Sequence, residues 1–212
     1  MKDVIIVCDN IFGLQVYSIL EEINKWFERE KNGHSYNILG YISEITDPFG
    51  GVFSPIERLG SISDWKPIGN EYYVLGCDIP ERKRAVVDCL KAKGCQFETV
   101  YTPWMLAPVI SIGEGSVVAA YSIKAGMNLG KYVTLIDSMM TSHYVGDYST
   151  VLRVSNITAD VGENTYIGNH VYSHTGCKIG DNVIVEDGSI VVKSVKNGSH
   201  ISGVPARKIK TY

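Results

Sequence analysis

Apolar positions along this chain follow two rhythms, and the change between them falls near Thr102-Pro103-Trp104. Upstream, short β-branched runs alternate with segments whose apolar residues recur every three or four positions. Val4-Ile5-Ile6-Val7-Cys8 reads as a buried parallel strand, apolar on both faces. Asp9-Asn10 breaks it. Phe12, Val16, Leu20, Ile23 and Phe27 then mark one face of a helix running from Ile11 to about Arg29. Tyr36 to Ile42 gives a second strand, Ser61 to Trp65 a short linker helix, and Tyr72 to Gly76 a third strand. Pro80 to Lys93 is a second amphipathic helix, with Ala85, Val86, Cys89 and Leu90 on one side, and Phe97 to Val100 a fourth strand. Strands alternating with helices predict a small parallel α/β domain over residues 1–102.

Downstream, the period becomes six. Ile112-Gly113, Leu129-Gly130, Val145-Gly146, Val161-Gly162, Ile167-Gly168 and Ile179-Gly180 each open a unit with an aliphatic residue, a glycine and two mostly polar residues. A hexapeptide repeat is the signature of a parallel β-helix, whose rungs bury their apolar column only by stacking. The aliphatic residue is expected to point inward and the glycine to permit the corner. An ordinary sandwich of short strands would not return the aliphatic-glycine pair six times. Two rungs are trimmed: Gly130, Gly146 and Gly162 are sixteen residues apart where three full hexapeptides would give eighteen.

Composition narrows the function. The chain has 212 residues, 45% hydrophobic and 20% charged, with a formal net charge of -3. That balance gives no electrostatic reason to expect a nucleic-acid or membrane partner. Five cysteines, an odd number without metal-type spacing, predict reduced thiols in a cytoplasmic protein. The N-terminal apolar run stops at Cys8, too short for a signal peptide or a membrane span.

In a parallel α/β domain the first strand-to-helix turn is the usual anion cradle. Here it reads Cys8-Asp9-Asn10-Ile11-Phe12-Gly13, and Gly13 is all that stands of a glycine-rich fingerprint. Asp9 places a negative charge where a diphosphate would sit. It is expected to cap the helix or to bind a sugar hydroxyl.

Together the two halves resemble the bacterial sugar acetyltransferases of lipopolysaccharide, capsule and glycan synthesis. These include the UDP-4-amino-sugar N-acetyltransferases and the sialic-acid O-acetyltransferases. The residues carrying the resemblance are Gly76-Cys77-Asp78-Ile79-Pro80, Phe97 to Pro103, and the closing Gly203-Val204-Pro205-Ala206-Arg207-Lys208. The resemblance implies a Rossmann-like domain that holds a nucleotide sugar, followed over residues 103–212 by a left-handed β-helix. It also implies a homotrimer with acetyl-CoA in the groove between neighbouring coils, and no metal. N-acetylation of an amino sugar is preferred to O-acetylation, because nucleotide-linked acceptors account for the N-terminal domain.

The family's general base is a histidine thirteen residues after a repeat glycine, and counting from Gly130 gives His143. A neutral imidazole suits removal of a proton from an attacking amine or hydroxyl. The family follows this histidine with a carboxylate; here Tyr144 follows. If the trimmed rungs stack in register, Asp160 falls about 5 Å beyond Tyr144, either to orient the imidazole or to cap the corner. The resemblance further places Thr150 near the thioester, Gly168 or Gly176 as amide donors to the oxyanion, and Lys193, Arg207 and Lys208 beside the CoA phosphates. Asp9, Asn10 and Gly13 are the sugar-nucleotide candidates. Two rival readings stand beside it: a zinc enzyme using His143, His170 and His174, and a degenerate trimeric scaffold that binds a sugar nucleotide without acetylating it.

Overall fold

Val4 to Cys8 is buried over its whole length, and the N-terminal unit is arranged around it. The computed structural model describes residues 1–31, 35–105 and 111–209. It divides into two units, Met1–Asp78 with Arg82–Val100, and Ile79–Glu81 with Tyr101–Tyr212.

In the first unit, β1 (Lys2–Cys8), β2 (Tyr36–Ile42), β3 (Arg58–Gly60), β4 (Tyr72–Gly76) and β5 (Gln96–Phe97) form one sheet in the order β3-β2-β1-β4-β5. Every pairing is parallel. Helix α1 (Phe12–Glu30) joins β1 to β2 and helix α2 (Pro80–Ala92) joins β4 to β5, so the unit is Rossmann-like. Phe12, Val16, Ile19, Leu20 and Ile23 are the buried stripe of α1; burying each such side chain stabilises by about 1.5–3 kcal/mol.

Three expectations from the sequence change here. Ser61 to Trp65 is a single turn without helix, fixed where Trp65 Nε1 donates to Tyr73 Oη at 2.7 Å and that hydroxyl donates to Glu71 at 2.6 Å. β3 was not foreseen, because three residues reading Arg-Leu-Gly carry no period. The strand expected over Phe97 to Val100 is broken into Gln96–Phe97 and Val100–Tyr101, in two different sheets.

The second unit is a left-handed parallel β-helix. One face stacks Ser111–Ile112, Asn128–Leu129, Tyr144–Val145, Asp160–Val161 and Lys178–Ile179. A second includes Val117–Ala119, Thr134–Ile136, Thr150–Val151, Tyr166–Ile167, Ile184–Val185 and His200–Gly203; a third includes Ser122–Ile123, Met139–Met140, Asn156–Ile157, Tyr172–Ser173 and Ile190–Val191. Inside, Leu129, Val145, Val161 and Ile179 stack in register, as do Leu135, Val151, Ile167 and Val185. His200–Gly203 then folds back antiparallel on Ala206–Lys208 across a cis Val204–Pro205 bond. Among the described residues, no helix is long and apolar enough to cross a membrane.

The corner glycines serve a different purpose from the one expected. The left-handed turn belongs to the fourth residue of the unit: Tyr132, Tyr148, Asn164, His170 and Asn182 have φ between 52° and 61°. The glycine is needed for close approach. A Cβ on Gly146 would stand 2.5 Å from Glu163 N, and one on Gly162 would stand 2.6 Å from Gly180 C and closer still to Asp181 Oδ1. That Asp181 oxygen accepts the Glu163 N–H at 2.9 Å; Asp147 does the same for Lys131 N–H (2.8 Å), and Asp187 for Asn169 N–H (2.8 Å).

Buried hydroxyls tie the rungs in the same way. Ser149 Oγ donates to Gly162 O (2.6 Å) and accepts from Thr165 N (2.9 Å), and Thr165 Oγ1 repeats the bridge to Gly180 O (2.8 Å) and Val183 N (3.1 Å). Gly162→Ala is therefore expected to destabilise the coil by roughly 1–3 kcal/mol through overpacking. A thermal melt beside wild type measures it, and an unchanged midpoint would mean that the rungs can separate at that corner.

Candidate active site

The trimmed rungs shorten the same corner twice. Met139–Met140 and Tyr144–Val145 are joined by Thr141-Ser142-His143, and Asn156–Ile157 and Asp160–Val161 by Thr158-Ala159. The preceding rung keeps the full corner, Lys124-Ala125-Gly126-Met127. His143 thus sits on a tight bend with its main chain held on both sides. Its N–H donates to Asp160 Oδ1 at 2.8 Å, and its carbonyl accepts Asn128 N–H at 2.9 Å.

The imidazole projects outward, 76% exposed, with Nδ1 3.6 Å from Asp160 Oδ1. That separation is too long for a hydrogen bond. Asp160 therefore caps the His143 backbone directly and acts on the ring through its charge. On the other ring nitrogen, Nε2, lies a residue the sequence reading missed: Lys124 Nζ, at 3.1 Å. Lys124 N–H donates to Met140 O (2.9 Å), which fixes its backbone one rung below. The signal was the register of Ile123 with Met140 across a long and a short corner, legible only once the stacking is known. Tyr144, where the resemblance implies a carboxylate, keeps its proton. Burial raises its hydroxyl pKa, and Asp147, Glu163 and Asp181 add to the rise.

The other candidates lie apart from this corner. Thr150 is buried, in register with Thr134 and Tyr166. Gly168 has its N–H committed to Val185 O at 2.9 Å. Gly176, with φ 84°, occupies the same corner as His143 on a later rung, with open space where a Cβ would lie. Lys193, Arg207 and Lys208 line one cavity of about 530 Å³ at the C-terminal end of the coil, together with Lys196. His143 and His174 share a corner on non-adjacent rungs while His170 stands on a different one. Among the described residues no group of three or more His, Cys, Asp or Glu is placed to hold a metal ion.

At the first turn of the N-terminal unit the N-cap is Ile11, without a side-chain cap, and Asn10, in place of Asp9, meets the first helical amide: its Oδ1 accepts Phe12 N–H at 2.9 Å. Its Nδ2 donates to Asp78 Oδ1 at 2.9 Å. Gly13 and Leu14 direct their N–H groups to Asn10 O (3.1 Å) and Ile11 O (3.0 Å), so with that of Phe12 these three amides are spent internally. Asp9 is buried and pairs with Arg82 (3.3 Å). Burial raises its carboxyl pKa, and the Cys77 thiol and Arg82 oppose the rise. Gly13 is required by packing, since a Cβ there would stand 2.5 Å from Cys8 Cβ.

No family model matches the chain. A stretch of 50 residues, 24% of this chain, is 42% identical to galactoside O-acetyltransferase of Escherichia coli, and the match spans 25% of that relative's length. Solved structures match nearly end to end. The acetyltransferase domain of PglB from Neisseria gonorrhoeae gives a TM-score of 0.75 at 16% identity, covering 99% of this chain and 100% of that one. PerB from Caulobacter crescentus, solved with CoA and GDP-perosamine, gives 0.68 at 16% identity over 99% and 98%. WeeI from Acinetobacter baumannii gives 0.65 at 21% identity over 99% and 100%. The chain has their fold.

Beside the first turn, Lys83 on α2 is fully buried, and desolvation brings its pKa down to about 7 against the charges of Cys77 and Asp78. The unfolded chain holds that proton up to its ordinary value of 10.5. Stability attributable to this residue therefore rises with pH from about 7 toward 10.5, where the unfolded state binds more protons than the folded one. Lys83→Met should remove that rise, which urea midpoints at pH 7 and near pH 9 would reveal. An equal rise in the variant would locate the titration elsewhere.

Proposed function

We propose that this protein is an acetyl-CoA-dependent acetyltransferase acting on a nucleotide-linked sugar, with N-acetylation of an amino sugar as its reaction. The observation that carries the reading is His143. It is exposed on a trimmed corner at the position the resemblance assigns to the base, with the Asp160 carboxylate 3.6 Å from Nδ1. The shared fold supports it, as does PerB, solved with CoA and a GDP-linked amino sugar.

In this reaction the acceptor amine attacks the thioester carbonyl carbon while His143 Nε2 takes its proton. Collapse of the tetrahedral intermediate breaks the C–S bond, and the departing thiolate takes a proton to leave as CoA thiol. Asp160, anchoring the His143 backbone, favours the Nδ1–H form and offsets the charge of the imidazolium. Lys193, Arg207 and Lys208, gathered at one cavity, are the cations for the CoA phosphates. Asp9 and Asn10 are assigned to the sugar nucleotide, through hydroxyls in preference to phosphate, because Asp9 is anionic and the turn amides are spent. Exposed Met139, Tyr144 and Tyr172 on the coil faces support a homotrimer. Five free cysteines fit a reducing cytoplasm.

The test is CoA-thiol release with UDP-, dTDP- and GDP-linked 4-amino sugars and with sialic acids. Turnover with one acceptor should fall roughly 10²–10⁴-fold in His143→Ala. Turnover that survives His143→Ala would remove the base from the mechanism, and none with any acceptor would favour the non-catalytic scaffold. Arg207→Ala should raise KM for acetyl-CoA several-fold at low salt and leave the acceptor KM alone, a separation that initial-rate kinetics resolves.

A further inference from the structure

Resting on the acetyltransferase reading, we infer that Lys124 is a positioning residue for the base: its ammonium on Nε2 fixes the tautomer of His143 before the acceptor arrives. A lysine ammonium offers three donors and no acceptor. At 3.1 Å from Nε2 it makes that nitrogen the acceptor, which leaves the ring proton on Nδ1. Asp160 does not set the tautomer by a direct bond, because its Oδ1, which accepts the His143 backbone N–H at 2.8 Å, stands 3.6 Å from Nδ1, beyond hydrogen-bond reach. Its charge favours the same tautomer, so the two residues act on opposite sides of one imidazole with opposite charges. Each comes from a neighbouring rung, Lys124 from the one before His143 and Asp160 from the one after.

The acceptor's proton must occupy the position that Lys124 Nζ fills beside Nε2. Lys124 is therefore a placeholder, holding the Nε2 lone pair ready and yielding to the substrate on its flexible stem. Only the fraction of enzyme with Nε2 unprotonated can receive the acceptor's proton, and apparent kcat/KM scales with that fraction. A lysine that merely rests on the surface would change neither quantity.

The tautomer is measured without turnover. Long-range ¹H–¹⁵N spectra of the imidazoles at alkaline pH, with His143 assigned by its loss in His143→Ala, should find the proton on Nδ1 in the wild-type protein. Lys124→Met should weaken that preference to a mixture of tautomers and Lys124→Arg should keep it. Lys124 is exposed and its backbone bond to Met140 does not involve the side chain, so both variants are expected to fold. With the active acceptor, Lys124→Met should lower kcat/KM about twofold, the fall that an even tautomer mixture gives, and leave KM for acetyl-CoA unchanged. In the His143→Ala background the same substitution should have no further effect. A wild-type ring protonated on Nε2, a tautomer unchanged in Lys124→Met, or a tautomer change without the kinetic loss would each overturn the inference. Because the spectra need no substrate, failure of the acetyltransferase reading leaves the tautomer result standing and is told apart from failure of the lysine's role.

Discussion

The coil depends on how closely one rung can lie on the next at its corners. Strands of two residues make few ladder bonds each, so the corners must also be joined. They are joined by aspartate and asparagine oxygens that accept the backbone N–H of the rung below, and by buried serine and threonine hydroxyls that bridge a carbonyl and an amide. The aspartate and asparagine oxygens lie directly over Gly130, Gly162, Gly168 and Gly180, where a Cβ would collide. The aliphatic-glycine signature is thus the imprint of a steric contact between rungs, with the left-handed turn carried two residues later.

The candidate site uses the same device with one change. Asp160 caps the His143 amide as Asp147 caps that of Lys131, so its first effect is structural. Because the capped residue is a histidine on a shortened bend, the oxygen also comes within electrostatic range of an exposed imidazole. The full-length corner below then lets Lys124 reach the opposite ring nitrogen. Shortening this corner in two successive rungs and leaving it full-length in the preceding one is what gathers three ionisable side chains on one edge of the coil.

In the N-terminal unit the first turn has been remade. A helix start that could cradle an anion spends its amides on Asn10 and on its own carbonyls. Arg82 and the buried Lys83 answer the carboxylates of Asp9 and Asp78. The turn is left as a set of nearly balanced polar groups around a buried carboxylate.

The resemblance supplied His143 as the candidate base; the sequence by itself determined the two architectures, the strands and helices that carry strong periods, and the register that brings Asp160 to His143. These follow from local spacing, which a repeat fixes rung by rung. The tertiary structure alone decided that Asn10 meets the first amide of α1, that β3 exists, that Gly168 has no amide to give, and that Lys124 meets Nε2. Each of those depends on which backbone group another element has already taken, or on how far a flexible side chain reaches between rungs. Neither quantity has a period along the chain, so no pattern of apolar and polar positions records it.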